Sequence, residues 1–298
     1  MRLGLGLGVA GVLLLVALAA CAGPQPAASA GVAVVAGENF WGSLATQLGG
    51  SKVSVLSVVT DPNADPHEYE TSTADARAFA DARLVILNGA GYDTWGQKLL
   101  DANPSTGRHV LTVADLLGKK NGDNPHFWYS PEYIKQVADR ITAEYGAIDA
   151  ADAAYFDQLH AQLTAALKPV DDEIAAIKAK YAGTPIGSTE SIFVYVAAAL
   201  GLKLTTPPEF MNAVADGNDP PASAVVEFQD QIAHNEIKVL VYNTQTVTAV
   251  TTNIRSLAWS HHIPTVGVSE TIHPVNLNFQ DWQLKQLQAL EGALKSAG

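Results

Sequence analysis

Apolar side chains along this chain follow two periods. Short runs rich in β-branched residues, VAVVA (32–36), KVSVLSVV (52–59), RLVIL (83–87) and HVLTV (109–113), predict strands, and the stretches between them, such as 40–48 and 73–80, predict helices. The second half repeats the theme. LKLTT (202–206), KVLVY (238–242) and PTVGV (264–268) read as strands, with helices over 192–200, 223–234, 247–260 and 279–295. Strands that alternate with helices form mostly parallel sheets. The chain reads as α/β, in two lobes that each carry a mostly parallel sheet flanked by helices.

A different pattern separates the halves. Tyr155, Leu159, Leu163, Leu167, Val170, Ile174, Ile177 and Tyr181 are spaced by three and four, a helical stripe of about seven turns. Asp149 or Asp152 supplies a start signal and Gly183 a stop. Pro169 stands against it, because proline removes a backbone donor and kinks a helix. The stripe is too short and single for a coiled coil. One long helix spanning both lobes is the reading. It divides the chain into an N-terminal lobe over 32–148, a linking helix over 149–183 and a C-terminal lobe over 184–298. Ligands of open α/β sheets bind beyond the carboxyl ends of the strands, so two such lobes share a cleft.

Residues 3–20 form an apolar stretch of their own, interrupted by glycines at 4, 6, 8 and 11. It ends in Leu18-Ala19-Ala20-Cys21, which resembles a bacterial lipobox, where small residues precede a cysteine that is lipidated and becomes the new N-terminus. An ordinary signal peptide, or an anchor helix with an incidental cysteine, is the alternative. On the lipobox reading, 1–20 is a lipoprotein signal peptide and 21–31 a Pro/Ala/Ser tether. The mature chain is then lipid-anchored at Cys21 on the outer side of the cytoplasmic membrane.

Charge and composition narrow the function classes. Across 298 residues, 18 Lys and Arg face 30 Asp and Glu, a net charge of −12 that argues against a nucleic-acid binder. With 48 % hydrophobic and 16 % charged residues the chain can fill a core, which excludes a disordered protein. Cys21 is the sole cysteine, so no disulfide framework, cysteine-rich zinc site or iron–sulfur cluster can form within the chain.

Four segments could carry chemistry, each following a predicted strand. Asp61-Pro-Asn-Ala-Asp-Pro-His-Glu-Tyr-Glu70 holds His67 behind Pro66, which restricts the chain before it. Asn124-Pro-His-Phe-Trp-Tyr-Ser-Pro131 repeats the Pro-His dipeptide at His126. Ser188-Thr-Glu-Ser191 sets Glu190 at a strand-to-helix junction, and Ser269-Glu-Thr-Ile-His273 follows the last strand with Glu270 and His273. Each residue has a plainer reading: the histidines as loop groups bonded to backbone, Glu190 as a helix-dipole acid, Glu270 as a solvated one. Their shared position at strand ends lets all four segments meet in one cleft. His67-Glu68 is not the H-E-x-x-H of a zinc protease, since position 71 is Thr. His160, His234 and His261-His262 read as exposed or capping groups, and His109 as the start of a strand.

ADPHEYETS, NPHFWYSP, STESIFVY and SETI together resemble the metal-binding lipoproteins that feed zinc and manganese importers of the ABC type, and the likeness runs from Glu38 to the C-terminal helix. That resemblance implies two α/β lobes joined by a rigid long helix, with one metal ion between them. The family's first ligand, the His of D-P-H-x-[YF]-E, falls on His67. Its second, the His of D-P-H-x-W, falls on His126, although Asn124 stands where the family has Asp. The third, His in many zinc members and Glu in manganese members, falls on Glu190. The fourth, commonly an Asp, falls on Glu270, one methylene longer, with His273 as its rival.

Two imidazoles and two carboxylates would neutralise a divalent ion. If each carboxylate binds through one oxygen the ion is four-coordinate, which suits zinc; if both chelate it is six-coordinate, which suits manganese. A carboxylate in place of a third His, and the missing His-rich acidic loop of many zinc members, lean toward manganese; iron(II) is a further candidate. The resemblance further implies a monomer partnered by a membrane permease and its cytoplasmic ATPase. The competing classes are a surface-anchored zinc metalloenzyme, which needs an open metal position and a nearby base, and an adhesin-like lipoprotein, which needs neither histidines nor acids at strand ends.

Overall fold

A computed structural model describes residues 31–63 and 69–297. Cys21, the apolar stretch before it and His67 lie outside the described residues.

The first half builds a four-stranded, fully parallel sheet in the order β2-β1-β3-β4, from β1 (Val32–Glu38), β2 (Val53–Val59), β3 (Leu84–Leu87) and β4 (His109–Thr112). Burial explains the composition. β3 is central and buried at every position, whereas edge strand β2 is largely exposed or half-buried. The crossovers are α1 (Asn39–Gly49), α2 (Thr73–Asp81), α3 (Thr94–Ala102) and the single-turn α4 (Val113–Leu116), followed by α5 (Pro131–Ile148). Ser72 starts α2 with a reciprocal capping box to Asp75, and Ser130 caps α5 ahead of Pro131.

The second half repeats the plan. Its order is β6-β5-β7-β8, again all parallel, from β5 (Pro185–Ser188), β6 (Lys203–Leu204), β7 (Val239–Asn243) and β8 (Thr265–Val268). Its helices are α7 (Val194–Ala199), α8 (Pro208–Ala215), α9 (Ala222–Ala233), α10 (Ala249–Ser260) and α11 (Phe279–Ser296). Strand β5 escapes the sequence pattern because Pro-Ile-Gly-Ser lacks a β-branched run. Gly187 is needed there: a Cβ on it would lie 2.8 Å from both Phe228 and Ile237.

Between the sheets runs α6 (Ala153–Tyr181), 29 residues and continuous through Pro169. Phe156, Leu163, Leu167, Val170 and Ile177 form its buried stripe, with Tyr155, Leu159, Ile174 and Tyr181 half-buried at the margin. The largest core cluster contains this stripe, the inner faces of both sheets, α1, α5 and α11. The lobes thus share one core along the helix, which keeps the two sets of strand ends in a constant relation. Among the described residues no helix is long and apolar enough to cross a membrane.

Candidate metal centre

His126, Glu190 and Glu270 are fully buried and offer ligand atoms within 4.8 Å of one another. Each arrives from a different segment. Glu190 lies two residues beyond β5 in extended backbone, before a 3-10 turn, Ser191–Phe193. Glu270 lies two residues beyond β8. The sequence reading set His126 at a strand end; instead α4 and a loop separate it from β4, and it enters a 3-10 turn, Phe127–Tyr129. His273 is exposed and does not join the cluster.

The imidazole is oriented from behind. Asn124 Nδ2 donates to Ser191 O at 2.7 Å, so Oδ1 is the atom 2.7 Å from His126 Nδ1. An amide oxygen only accepts, so Nδ1 carries a proton and Nε2 is the ring nitrogen turned to the acids. His126 Nε2 lies 3.1 Å from Glu190 Oε1. Trp128 and Tyr92 pack edge-on against the ring at 5.2 and 6.2 Å. Asn124 does what a carboxylate could not: its amide both accepts from the histidine and donates across the cleft to Ser191 O.

The carboxylates are held by residues that sequence reasoning passed over. Asn243, the last residue of β7, points its Nδ2 at Glu190 Oε2 and at Glu270 Oε1, the latter at 2.6 Å. Tyr92 Oη donates to Glu270 Oε2 at 2.5 Å from the opposite lobe. Gln245 Oε1 accepts from the backbone N–H of Glu270 and Thr271 at 2.7 and 2.9 Å, fixing the loop that carries the acid. Tyr92 is presented by the tight loop after β3, where Gly89, Ala90 and Gly91 all have positive φ and the Asp93 carboxylate accepts from Asn88 N and Gly89 N at 2.5 and 2.8 Å. The one legible signal for Asn243 is its place at a strand end; a lone asparagine there has no spacing to mark it.

Behind Tyr92 lies a second pair of buried acids. Burial, then the neighbouring Asp93 charge, push the Glu38 carboxyl well above the usual carboxylate range, and burial pushes Asp93 up to about 6. Of the two, Glu38 holds its proton the more tightly.

Further bonds cross the cleft. Asn39 exchanges two with the backbone of Ile272, at 2.9 and 3.2 Å, Ser43 Oγ accepts from Phe279 N at 3.0 Å, and Tyr195 Oη donates to Asn124 O at 2.8 Å. The minor histidines have local roles. His234 and His261 cap α9 and α10, His109 opens β4 against Glu144, and His160 meets Asp139.

Solved structures share this architecture. The crystal structure of ZnuA superposes with a TM-score of 0.71 at 21 % identity, covering 88 % of this chain and 99 % of that one. A manganese-bound mutant of a periplasmic metal-binding protein from Candidatus Liberibacter asiaticus gives 0.72 at 16 % identity, covering 88 % and 98 %. In sequence, the manganese ABC transporter substrate-binding lipoprotein PsaA of Streptococcus anginosus is 27 % identical over 214 residues, 64 % of this chain and 67 % of that protein. The manganese-binding lipoprotein MntA of Halalkalibacterium halodurans is 26 % identical over 116 residues, 37 % and 38 % of the two chains. These relatives are binding proteins, not enzymes. With residues 34–293 matching the family model of ZnuA, the periplasmic component A of the zinc-uptake complex, the chain belongs to the ZnuA family of metal ABC transporter substrate-binding proteins.

Proposed function

We propose that this protein captures one divalent transition metal ion, Mn2+ or Zn2+, between its lobes and delivers it to the permease of an ABC importer. The observation that carries the reading is the convergence of His126, Glu190 and Glu270 in one buried cluster. His67 is the proposed fourth ligand. Two neutral imidazoles and two carboxylates would balance the charge of the ion, so its burial would leave no net charge in the low-dielectric interior. A hard carboxylate at 190 in place of a third imidazole favours manganese, and the names of the relatives PsaA and MntA agree. The ion is cargo, and a buried, hydrogen-bonded donor set suits its retention. The proposed setting is a monomer held at the outer face of the cytoplasmic membrane through Cys21, working with a permease and its ATPase.

The test is metal analysis of the purified chain together with titration by Mn2+ and Zn2+. One tightly bound ion per chain is expected. Affinity should fall by at least about tenfold in His67→Ala and in His126→Ala, since each removes one of few ligands. Glu270→Ala should weaken binding more than His273→Ala. Stoichiometric, tight binding retained in the double variant His67→Ala/His126→Ala would refute the site.

A further inference from the structure

Asn124 stands two residues before His126 and makes hydrogen bonds to both lobes. The backbone N–H of His126 can only donate, and it meets Asn124 Oδ1 at 3.0 Å, which fixes the orientation of the amide. The ring nitrogen Nδ1 of His126 shares that oxygen at 2.7 Å. The amide nitrogen is thereby turned across the cleft, where Nδ2 donates to the carbonyl of Ser191 at 2.7 Å. Ser191 is buried and directly follows Glu190. A second bond returns over the same gap: Tyr195 Oη, on α7, donates to Asn124 O at 2.8 Å. The Tyr195 ring packs against Tyr133 and Phe127 of the N-terminal lobe, with centroids 5.4 and 6.1 Å away. The segment of His126 and the segment of Glu190 are thus fastened directly to each other, by groups outside the cluster of His126, Glu190 and Glu270. A cavity of about 290 Å3 lies between the lobes beside these bonds, lined by Tyr92, Asp123 and Asn124 on one side and Ser191, Asn212 and Asp216 on the other. Asn212 and Asp216 are exposed and mark its open side, whereas Tyr92 and Ser191 are buried. Asp123 and Asp216 give it an acidic lining that suits the passage of a cation.

We infer that Asn124 and Tyr195 form a clasp between the lobes that sets the rate of metal release: an ion leaves through this cavity once Asn124 parts from Ser191 and Tyr195 parts from Asn124. Both are positioning residues. They act by keeping the segments of His126 and Glu190 together, and neither has to touch the ion. Loss of one clasp bond therefore lowers the barrier to opening by an amount that does not depend on which metal is held. This role presupposes the capture of an ion proposed above, and adds to it the groups that govern how long the ion stays.

The experiment loads the wild-type chain, Tyr195→Phe, Asn124→Asp and Tyr145→Phe with Mn2+ or Zn2+ and follows release into excess chelator by stopped flow. Tyr195→Phe removes one O–H and keeps the ring. Release should quicken by about three- to tenfold, the scale of one net hydrogen bond, and by the same factor for both ions. Asn124→Asp keeps an acceptor for both N–H groups of His126 but sets an oxygen against Ser191 O where a donor stood, so release should again quicken. If residue 124 did no more than aim the imidazole, a carboxylate would do so at least as well, and release would not quicken. Tyr145→Phe controls for lost stability: its hydroxyl donates to Ala45 O at 2.9 Å within the N-terminal lobe, and release should keep the wild-type rate. A wild-type rate in Tyr195→Phe, a rate no faster than wild type in Asn124→Asp, or equal quickening in Tyr145→Phe overturns the clasp. If the wild-type chain takes up neither ion, the capture reading itself falls. If it takes them up and the rates stand still, only the clasp is lost.

Discussion

Single side chains at this site divide into those that would touch an ion and those that aim them, and the two kinds differ in how visible they are. His126, Glu190 and Glu270 stand in segments whose residue order resembles a family, so the sequence singles them out. Asn243, Tyr92 and Gln245 reach the acids or their loop through hydrogen bonds made across 25 to 178 positions of chain, and nothing local announces such a partner. The Glu38–Asp93 pair is equally silent in sequence, and it makes a pH prediction. An acid whose folded pKa lies above its unfolded value binds its proton more tightly in the fold. The contribution of this pair to stability without metal is therefore fully present only below about pH 4, the ordinary carboxylate range. It falls as pH rises past the Asp93 value of about 6 toward the still higher value of Glu38. Glu38→Gln supplies the neutral form permanently, so denaturant midpoints at pH 5 and pH 8 should lie closer together than in wild type. An unchanged gap would show that this pair does not govern the pH response.

At the scale of elements, periodicity identifies most strands and the long helix, and it fails where packing overrides propensity. β5 is a central strand with Pro, Gly and Ser at three of its four positions, and Phe228 and Ile237 need the space over Gly187. Gly187→Ala should destabilise the protein by about 1–3 kcal/mol, the usual cost of overfilling a packed interior. Denaturation curves with an unchanged midpoint would show that α9 can give way. Because β5 leads to Glu190 two residues beyond its end, the same substitution should also weaken metal binding. α3 and α8 escape the pattern too, α3 with Gly96 inside it and α8 opening at Pro207-Pro208. Pro169 is tolerated within α6, whose apolar stripe is buried on both sides of it.

For the whole molecule, candidate ligands drawn from both lobes would couple capture to stability. An ion that binds only the folded chain raises its stability by mass action, about 2.7 kcal/mol when free metal is about a hundredfold above the dissociation constant. Saturating Mn2+ or Zn2+ should thus raise Tm by several degrees, and chelator should reverse it; a Tm indifferent to metal would contradict capture between the lobes. Anchoring is tested in cells. Cys21→Ala should leave the membrane fraction or stall before cleavage at Ala20, and unchanged retention as a full-length chain would point to a spanning helix instead.

The alternation of strand and helix, the long helix and the four segments that carry the candidate ligands follow from local sequence, because propensity, periodicity and motif act over a few residues at a time. The strand orders, the shared core along α6 and the amide of Asn243 between two acids do not. They depend on which distant segments come to lie side by side, and each such contact is stabilised by burial that only the assembled lobes provide.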